Sequence, residues 1–165
     1  MQALSPNRER LIALDEALDK EGKNCRSCPG HCCTFAFNSM RITAREANEI
    51  LKFLMDEKKI NRQLQLKIEE TIEKFRLEIH FSYAKKVLRK NYTCPFFGQN
   101  TLGCLLPKSI KPLGCLAFVP KEKDVTTPGK CYSATEFLEN IEEEKETIPV
   151  MIKREARRIG IWELS

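Results

Sequence analysis

Residues 25–33 read Cys25-Arg26-Ser27-Cys28-Pro29-Gly30-His31-Cys32-Cys33, and they form the first of two cysteine groups in this 165-residue chain. A Cys-x2-Cys pair places two thiolates on one tight turn, as a tetrahedral zinc ion or an iron–sulfur cluster requires. A second group, far along the chain, can close such a site and tie distant segments together. The spacing predicts a thiolate-bound metal centre whose candidate ligands are all eight cysteines: Cys25, Cys28, Cys32, Cys33, Cys94, Cys104, Cys115 and Cys131.

Length and composition predict one globular domain over residues 1–165, with a cysteine-cluster core at about 25–133 and helical segments on either side. Hydrophobic residues make up 42% of the chain and charged residues 31%, which is ordinary for a soluble protein. No apolar run reaches the roughly 18 residues of a membrane span, so no membrane association is expected. The first ten residues lack the apolar core of a secretory signal. We therefore expect a cytoplasmic protein with reduced thiols, which favours metal binding over disulfides.

The formal net charge of +5 is a weak indication of a partner. Four thiolates around zinc carry a net charge of about −2, which would offset part of it. The two basic groups, residues 85–90 and 153–158, fall near the ends of predicted helices, where cations interact favourably with the helix dipole. Because no basic patch interleaved with exposed aromatic residues is evident, we predict solvated helix ends and no nucleic-acid partner. A protein partner stays open, and the acidic segment from Glu136 to Glu146 is the surface to test first.

The periodicity of apolar residues predicts a mainly α fold. A first helix spans residues 6–21 and ends at Gly22. Thr43 and Glu46 form a capping-box pattern that begins a second helix, whose buried positions are Ala47, Ile50, Leu51 and Leu54. Apolar residues spaced by threes and fours then predict one long helix over residues 62–89.

The remaining segments predict little β structure. Residues 35–37 are expected to be a short extended piece, and residues 92–131, rich in proline and glycine, to be irregular. Ser133 and Glu136 resemble a second capping box, which begins an acidic helix through Glu146. Thr147 then caps a last helix near Pro149. The predicted fold class is mainly α, with several helices packed around irregular, cysteine-rich metal-binding loops.

The cysteine pattern resembles the YkgJ-like, or CxxCxxCC, cysteine-cluster family, which is described as a zinc- or iron-chelating domain. The resemblance spans about residues 25–133, and it uses all eight cysteines together with the helix that opens at Ile42-Thr43. Two features differ: three residues separate Cys28 from Cys32, and Lys111 stands where the family has arginine. The resemblance implies a metal site. One branch of the family is linked to flagellin lysine N-methylation, and no methyl-donor motif is evident here, so the metal site carries over and that reaction does not.

The sequence leaves several alternatives open. Adjacent side chains diverge in extended or helical backbone, so Cys32 and Cys33 are expected either to divide, one ligating and one packing, or to serve two neighbouring centres. Eight thiols allow two four-thiolate sites or one site with spare buried cysteines. His31 is a candidate fourth ligand or outer donor. The metal is zinc or an iron–sulfur cluster, with a four-iron cluster the first choice if iron is bound. The alternative functions are electron transfer or redox sensing, and an accessory or catalytic role in protein-lysine N-methylation.

Overall fold

Helices make up most of the regular structure in the computed structural model, which describes residues 5–23, 32–84, 86–120, 131–133 and 143–163. Within these ranges the chain forms five helices and three pairs of short antiparallel strands. The mainly α fold class is confirmed, whereas helices arranged around metal-binding loops stay a prediction. Across the same residues, no helix is both long and apolar enough to cross a bilayer. The chain divides into two compact units, the first built from Met1–Cys33 and Phe96–Glu142 and the second from Thr34–Pro95 and Glu143–Ser165.

The first unit contains helix α1 (Pro6–Lys20), the short helix α4 (Leu113–Leu116) and a hairpin of strands β4 (Phe118–Pro120) and β5 (Cys131–Ser133). The Ser5 hydroxyl accepts a hydrogen bond from the backbone of Arg8 and caps α1. The helix ends where Gly22 adopts a φ of 73°, a left-handed conformation that glycine takes at no steric cost. The predicted helix and its glycine stop are confirmed.

Contacts within the first unit attach α1 to the segment that carries α4. Leu11, Leu116 and Ala117 form a buried apolar cluster, with Ile12 and Leu113 packed against it. The buried guanidinium of Arg8 donates a hydrogen bond to the carbonyl of Lys111 at 2.5 Å, and Lys108 pairs with Asp15. The hydrogen bond and the ion pair attach the loop before α4 to α1, and the apolar cluster attaches α4 itself to the same helix.

The second unit is built from two strand–helix pairs that follow the same plan. Strand β1 (Arg41–Thr43) leads directly into α2 (Ala44–Asp56), and strand β6 (Lys145–Thr147) leads directly into α5 (Ile148–Arg158). The strands pair antiparallel, with Ile42 opposite Glu146; α2 packs on α5, and α5 also packs on α3 (Arg62–Lys74). Because the strands are antiparallel, the two helices begin at opposite ends of the ribbon, and they pack on each other.

The core of the second unit confirms the predicted face of α2. Its buried residues are Ala47, Ile50, Leu51 and Leu54. The capping box also forms: the Thr43 hydroxyl accepts the backbone N–H of Glu46, and the Glu46 carboxylate accepts the N–H of Thr43 at 3.0 Å. Glu155 on α5 is buried but accepts hydrogen bonds from Asn48 at 2.8 Å and Arg158 at 2.7 Å, so its charge is compensated.

The predicted long helix over residues 62–89 is wrong. Helix α3 ends at Lys74 because Arg76 adopts a left-handed φ of 51° and Leu77 donates its N–H back to Ile72 at 2.9 Å. The chain then forms a second hairpin from strands β2 (Ser82–Tyr83) and β3 (Lys86–Val87). Ile79, Phe81 and Tyr83 alternate with polar residues, as in a strand. Apolar residues in the same range also fit a spacing of threes and fours, and that spacing led to the prediction of a helix.

Three further predictions from the sequence differ from the structure. Residues 34–37 form a turn, not an extended piece, because the Thr34 carbonyl accepts hydrogen bonds from Phe37 and Asn38. The acidic helix lies mostly outside the described residues, and its expected end at Glu146 is wrong, since residues 145–147 form β6. Thr147 stands at the N-terminus of α5 as predicted, with Pro149 in the first turn, but its hydroxyl makes no capping bond.

Candidate metal centre

Most of the predicted ligands that the structure describes belong to the first unit. Cys32 and Cys33 close the first segment of this unit, and Cys104, Cys115 and Cys131 lie in its second segment. Cys94 belongs to the second unit and lies one residue before the boundary at Pro95. Three candidates, Cys25, Cys28 and His31, lie outside the described residues. The two cysteine groups predicted from the sequence therefore contribute to one compact unit, with Cys94 as the exception.

Cys32 and Cys33 have converging sulfur atoms. The two Sγ atoms are 3.9 Å apart, and both thiols are half-buried and not in a disulfide. The expectation that adjacent side chains diverge assumed extended or helical backbone, but residues 32 and 33 lie in a turn, which brings successive side chains to the same side. The argument against a shared ion therefore does not hold for this pair.

Cys104 is placed by a tight loop that returns on itself. Its backbone forms an antiparallel bridge with Phe97, and flanking hydrogen bonds join Leu105 to Phe96 at 2.8 Å and Gly98 to Gly103 at 2.9 Å. A Cβ at Gly98 would lie 2.4 Å from the Thr101 hydroxyl, so a larger residue there would require the Thr101 side chain to move. Because opposed residues of a ladder place their side chains on the same side, the Cys104 thiol lies on the side of the buried Phe97 ring.

Cys115 and Cys131 are connected through regular backbone. Cys115 lies in α4, which begins after Pro112, and α4 continues through Ala117 into β4. The last residue of β4, Pro120, is paired with Cys131 at the start of β5. Helix α4 and the pairing of β4 with β5 therefore fix the backbones of Cys115 and Cys131 within the first unit.

The chemistry of the donors fits a thiophilic metal. Two thiolates bound to one tetrahedral zinc ion at about 2.3 Å each are about 3.8 Å apart. The separation of 3.9 Å between the Sγ atoms of Cys32 and Cys33 is close to that value. Half-burial also suits metal ligation, since it leaves access for an ion while limiting solvent around the bound state, and it is found at Cys32, Cys33, Cys94, Cys104 and Cys115.

Within the described ranges, no group of three or more Cys, His, Asp or Glu side chains is arranged to hold a metal ion. The pair at 3.9 Å is thus the part of the candidate centre that the structure brings together. Sequence reasoning identified both members but not their convergence, because a vicinal pair gives no spacing from which to infer the turn. No protein-family model, curated protein or solved structure matches this chain.

Proposed function

We propose that this protein binds a metal through cysteine thiolates and that zinc is the metal. The observation that carries the proposal is the 3.9 Å separation of the Cys32 and Cys33 sulfurs, which fits two ligands of one tetrahedral ion. The cysteine spacing and the resemblance to the YkgJ-like family support the same function.

The proposed ligands come from both cysteine groups. Cys32 and Cys33 provide the first two sulfurs, and the remaining ligands are drawn from the other cysteines of the first unit, which are Cys25, Cys28, Cys104, Cys115 and Cys131. Cys94 belongs to the candidate set on its sequence spacing alone. Eight cysteines are enough for two four-thiolate sites.

Zinc is favoured over a four-iron cluster by the same distance. In a four-iron cluster the four cysteine thiolates bind four different iron atoms, whereas two thiolates in van der Waals contact suit a single shared ion. Zinc with four protein ligands has no redox chemistry and no open position for substrate, so it stabilises the fold. The proposed function is that of a structural metal centre in a binding protein, not of a hydrolase.

The first test compares Cys32→Ser and Cys33→Ser with the unchanged full-length chain. Each substitution should reduce bound zinc to well under half, because the neutral serine hydroxyl is a poor replacement for a thiolate. His31→Ala tests the candidate donor at the adjacent position and should leave zinc near the wild-type level, because the proposed ligands are all thiolates. Elemental analysis of protein purified without oxygen gives the stoichiometry. Loss of zinc in only one cysteine variant would contradict a shared ion.

The second test identifies the metal and its neighbours in the wild-type protein. Anaerobic purification guards against replacement of an oxygen-sensitive cluster by zinc. X-ray absorption at the zinc edge should show four sulfur neighbours at about 2.3 Å. A brown protein that contains iron and acid-labile sulfide would instead support electron transfer or redox sensing.

A further inference from the structure

One face of the second hairpin combines two exposed aromatic side chains with a lysine and a leucine. Tyr83 is directly opposite Lys86 in the β2–β3 pair, and the N–H of Leu88 bonds to the carbonyl of Phe81, which continues the same register. Opposed residues share a face, and residues two apart on a strand do so as well. The exposed fractions are 80% for Tyr83, 52% for Phe81 and 55% for Leu88, and Lys86 is also exposed. We call Phe81, Tyr83, Lys86 and Leu88 the hairpin face.

Lys90 connects the hairpin to the end of α3. Its ammonium donates hydrogen bonds to the carbonyls of Arg76 at 2.6 Å and Leu77 at 3.3 Å, and lies 5.5 Å from the centre of the Phe81 ring. Partial burial lowers the pKa of Lys90, while the Glu146 carboxylate acts in the opposite direction. The Phe81 ring is therefore held beside a cation that is itself fixed to the helix end.

A second ring–cation group lies at the same helix end. Phe35, 57% exposed, stacks on Phe75 with ring centroids 5.4 Å apart and planes inclined by 19°. The Lys74 ammonium lies 5.5 Å from the Phe75 ring. Aromatic rings next to lysines thus occur at three described places in this unit, the third being Phe53, whose ring centre lies 5.2 Å from the Lys59 ammonium.

The net positive charge of the chain is concentrated in the second unit. The first unit has ten Lys and Arg residues and ten Asp and Glu residues, whereas the second has 18 and 13. The whole formal charge of +5 therefore belongs to the second unit. From residue 74 to residue 90 the chain has six Lys and Arg residues and one acidic residue, Glu78, which pairs with Lys153 at 2.8 Å. This segment favours an anionic occupant.

The sequence predicted no nucleic-acid partner because no exposed aromatic residues among the basic ones were evident, and the hairpin places such residues together. We infer that the hairpin face binds single-stranded nucleic acid, with bases stacked on Tyr83 and Phe81 and phosphates near Lys86. Exposed rings interleaved with cations are the arrangement that such ligands use, because every base has a planar face and every nucleotide a phosphate. An acidic peptide would pair with the lysines, but its carboxylates would not stack on the exposed rings of Phe81 and Tyr83. A lipid surface fits less well. The turn between β2 and β3 would enter the bilayer first, and the charge of Lys86 next to this turn opposes insertion.

The test measures binding of the full-length protein to labelled oligothymidine and oligouridine of about 12 nucleotides by fluorescence anisotropy. We expect an affinity that falls as salt rises, and the DNA and RNA probes determine which backbone is preferred. Tyr83→Ala should weaken binding about five-fold or more, because one stacked base is lost. Lys86→Ala should reduce the slope of log affinity against log salt by about 0.7.

The controls separate stacking from charge and from general apolar contact. Tyr83→Phe keeps the ring and should keep the affinity, whereas Tyr83→Leu keeps apolar area without a planar ring and should lose it. Lys52→Ala and Met55→Ala, both exposed on α2, should change affinity by less than two-fold. Tyr83 is so exposed that its replacement should not disturb folding, and circular dichroism verifies this.

Three results would overturn the inference. The first is no binding of either oligonucleotide at low salt. The second is equal binding of polyglutamate with Tyr83→Ala unchanged, which would show that only charge is recognised. The third is binding to vesicles of phosphatidylserine and phosphatidylcholine that tolerates Tyr83→Leu, which would identify a lipid surface as the occupant.

Discussion

At the scale of the residue, Tyr92 joins three separate segments of the second unit. Its backbone N–H donates to Asn38, and its hydroxyl donates to the carbonyl of Met40 at 2.6 Å and accepts from the N–H of Ile148 at 3.1 Å. Ile148 is the first residue of α5, where backbone N–H groups have no partner within the helix. The tyrosine thus satisfies a group at the helix start that the Thr147 side chain does not cap.

We expect Tyr92→Phe to lower the free energy of unfolding by about 1–3 kcal/mol, because the buried N–H of Ile148 loses its acceptor. Tyr83→Phe is the matched control, since it removes a hydroxyl from a side chain that is largely exposed and should change stability by less than about 0.5 kcal/mol. Urea unfolding followed by circular dichroism measures both. Equal effects of the two substitutions would contradict the role given to Tyr92.

At the scale of the element, the sequence predicted the starts of helices better than their ends. Helix α1 has Ser5 at its start and Gly22 at its end, and α2 has a complete capping box. Helix α3 has an asparagine cap at its start but no glycine at its end, so its stop was not predictable from residue types. The convergence of Cys32 and Cys33 was not predicted for a related reason. Like the end of α3, it depends on a backbone conformation that the residue types do not indicate.

The stop of α3 gives a prediction of its own. Arg76 pays the steric cost of a left-handed φ of 51°, which glycine avoids. Arg76→Gly should therefore raise the free energy of unfolding by about 0.5–1 kcal/mol. Lys52→Gly in the middle of α2 is the control and should lower it by about 1 kcal/mol. A destabilised Arg76→Gly protein in thermal unfolding would show that the arginine side chain stabilises this helix end.

At the scale of the whole molecule, the two units differ in what stabilises them. The second unit has an extended apolar core of α2, α3 and α5, whereas the described apolar residues buried in the first unit are fewer: the cluster around Leu11 together with Phe96, Phe97 and Leu106. Small cores often need a metal for stability. The single tryptophan, Trp162, is buried in the second unit, so its fluorescence reports on that unit alone.

Removal of the metal by a strong chelator should therefore lower the helical signal in circular dichroism while Trp162 emission stays within a few per cent of the untreated protein. The physical reason is that thiolate–metal bonds contribute about 10–16 kcal/mol to small zinc folds, and only the first unit holds the paired thiols. Elemental analysis must show that the metal is gone. An unchanged melting temperature after verified removal would contradict a structural metal.

The antiparallel pairing of β1 with β6 also dictates an order of events during synthesis. Arg41 and Thr147 are partners, yet 106 positions separate them, and the second segment of the first unit lies between. On the ribosome, β1 and α2 emerge early but must wait for β6 and α5 before their apolar faces are covered. Every residue of the first unit leaves the exit tunnel before the second unit can close. If the proposed metal is bound, the nascent chain therefore has a window in which the cysteines of the first unit can receive it while the apolar faces of the second unit are still exposed to chaperones.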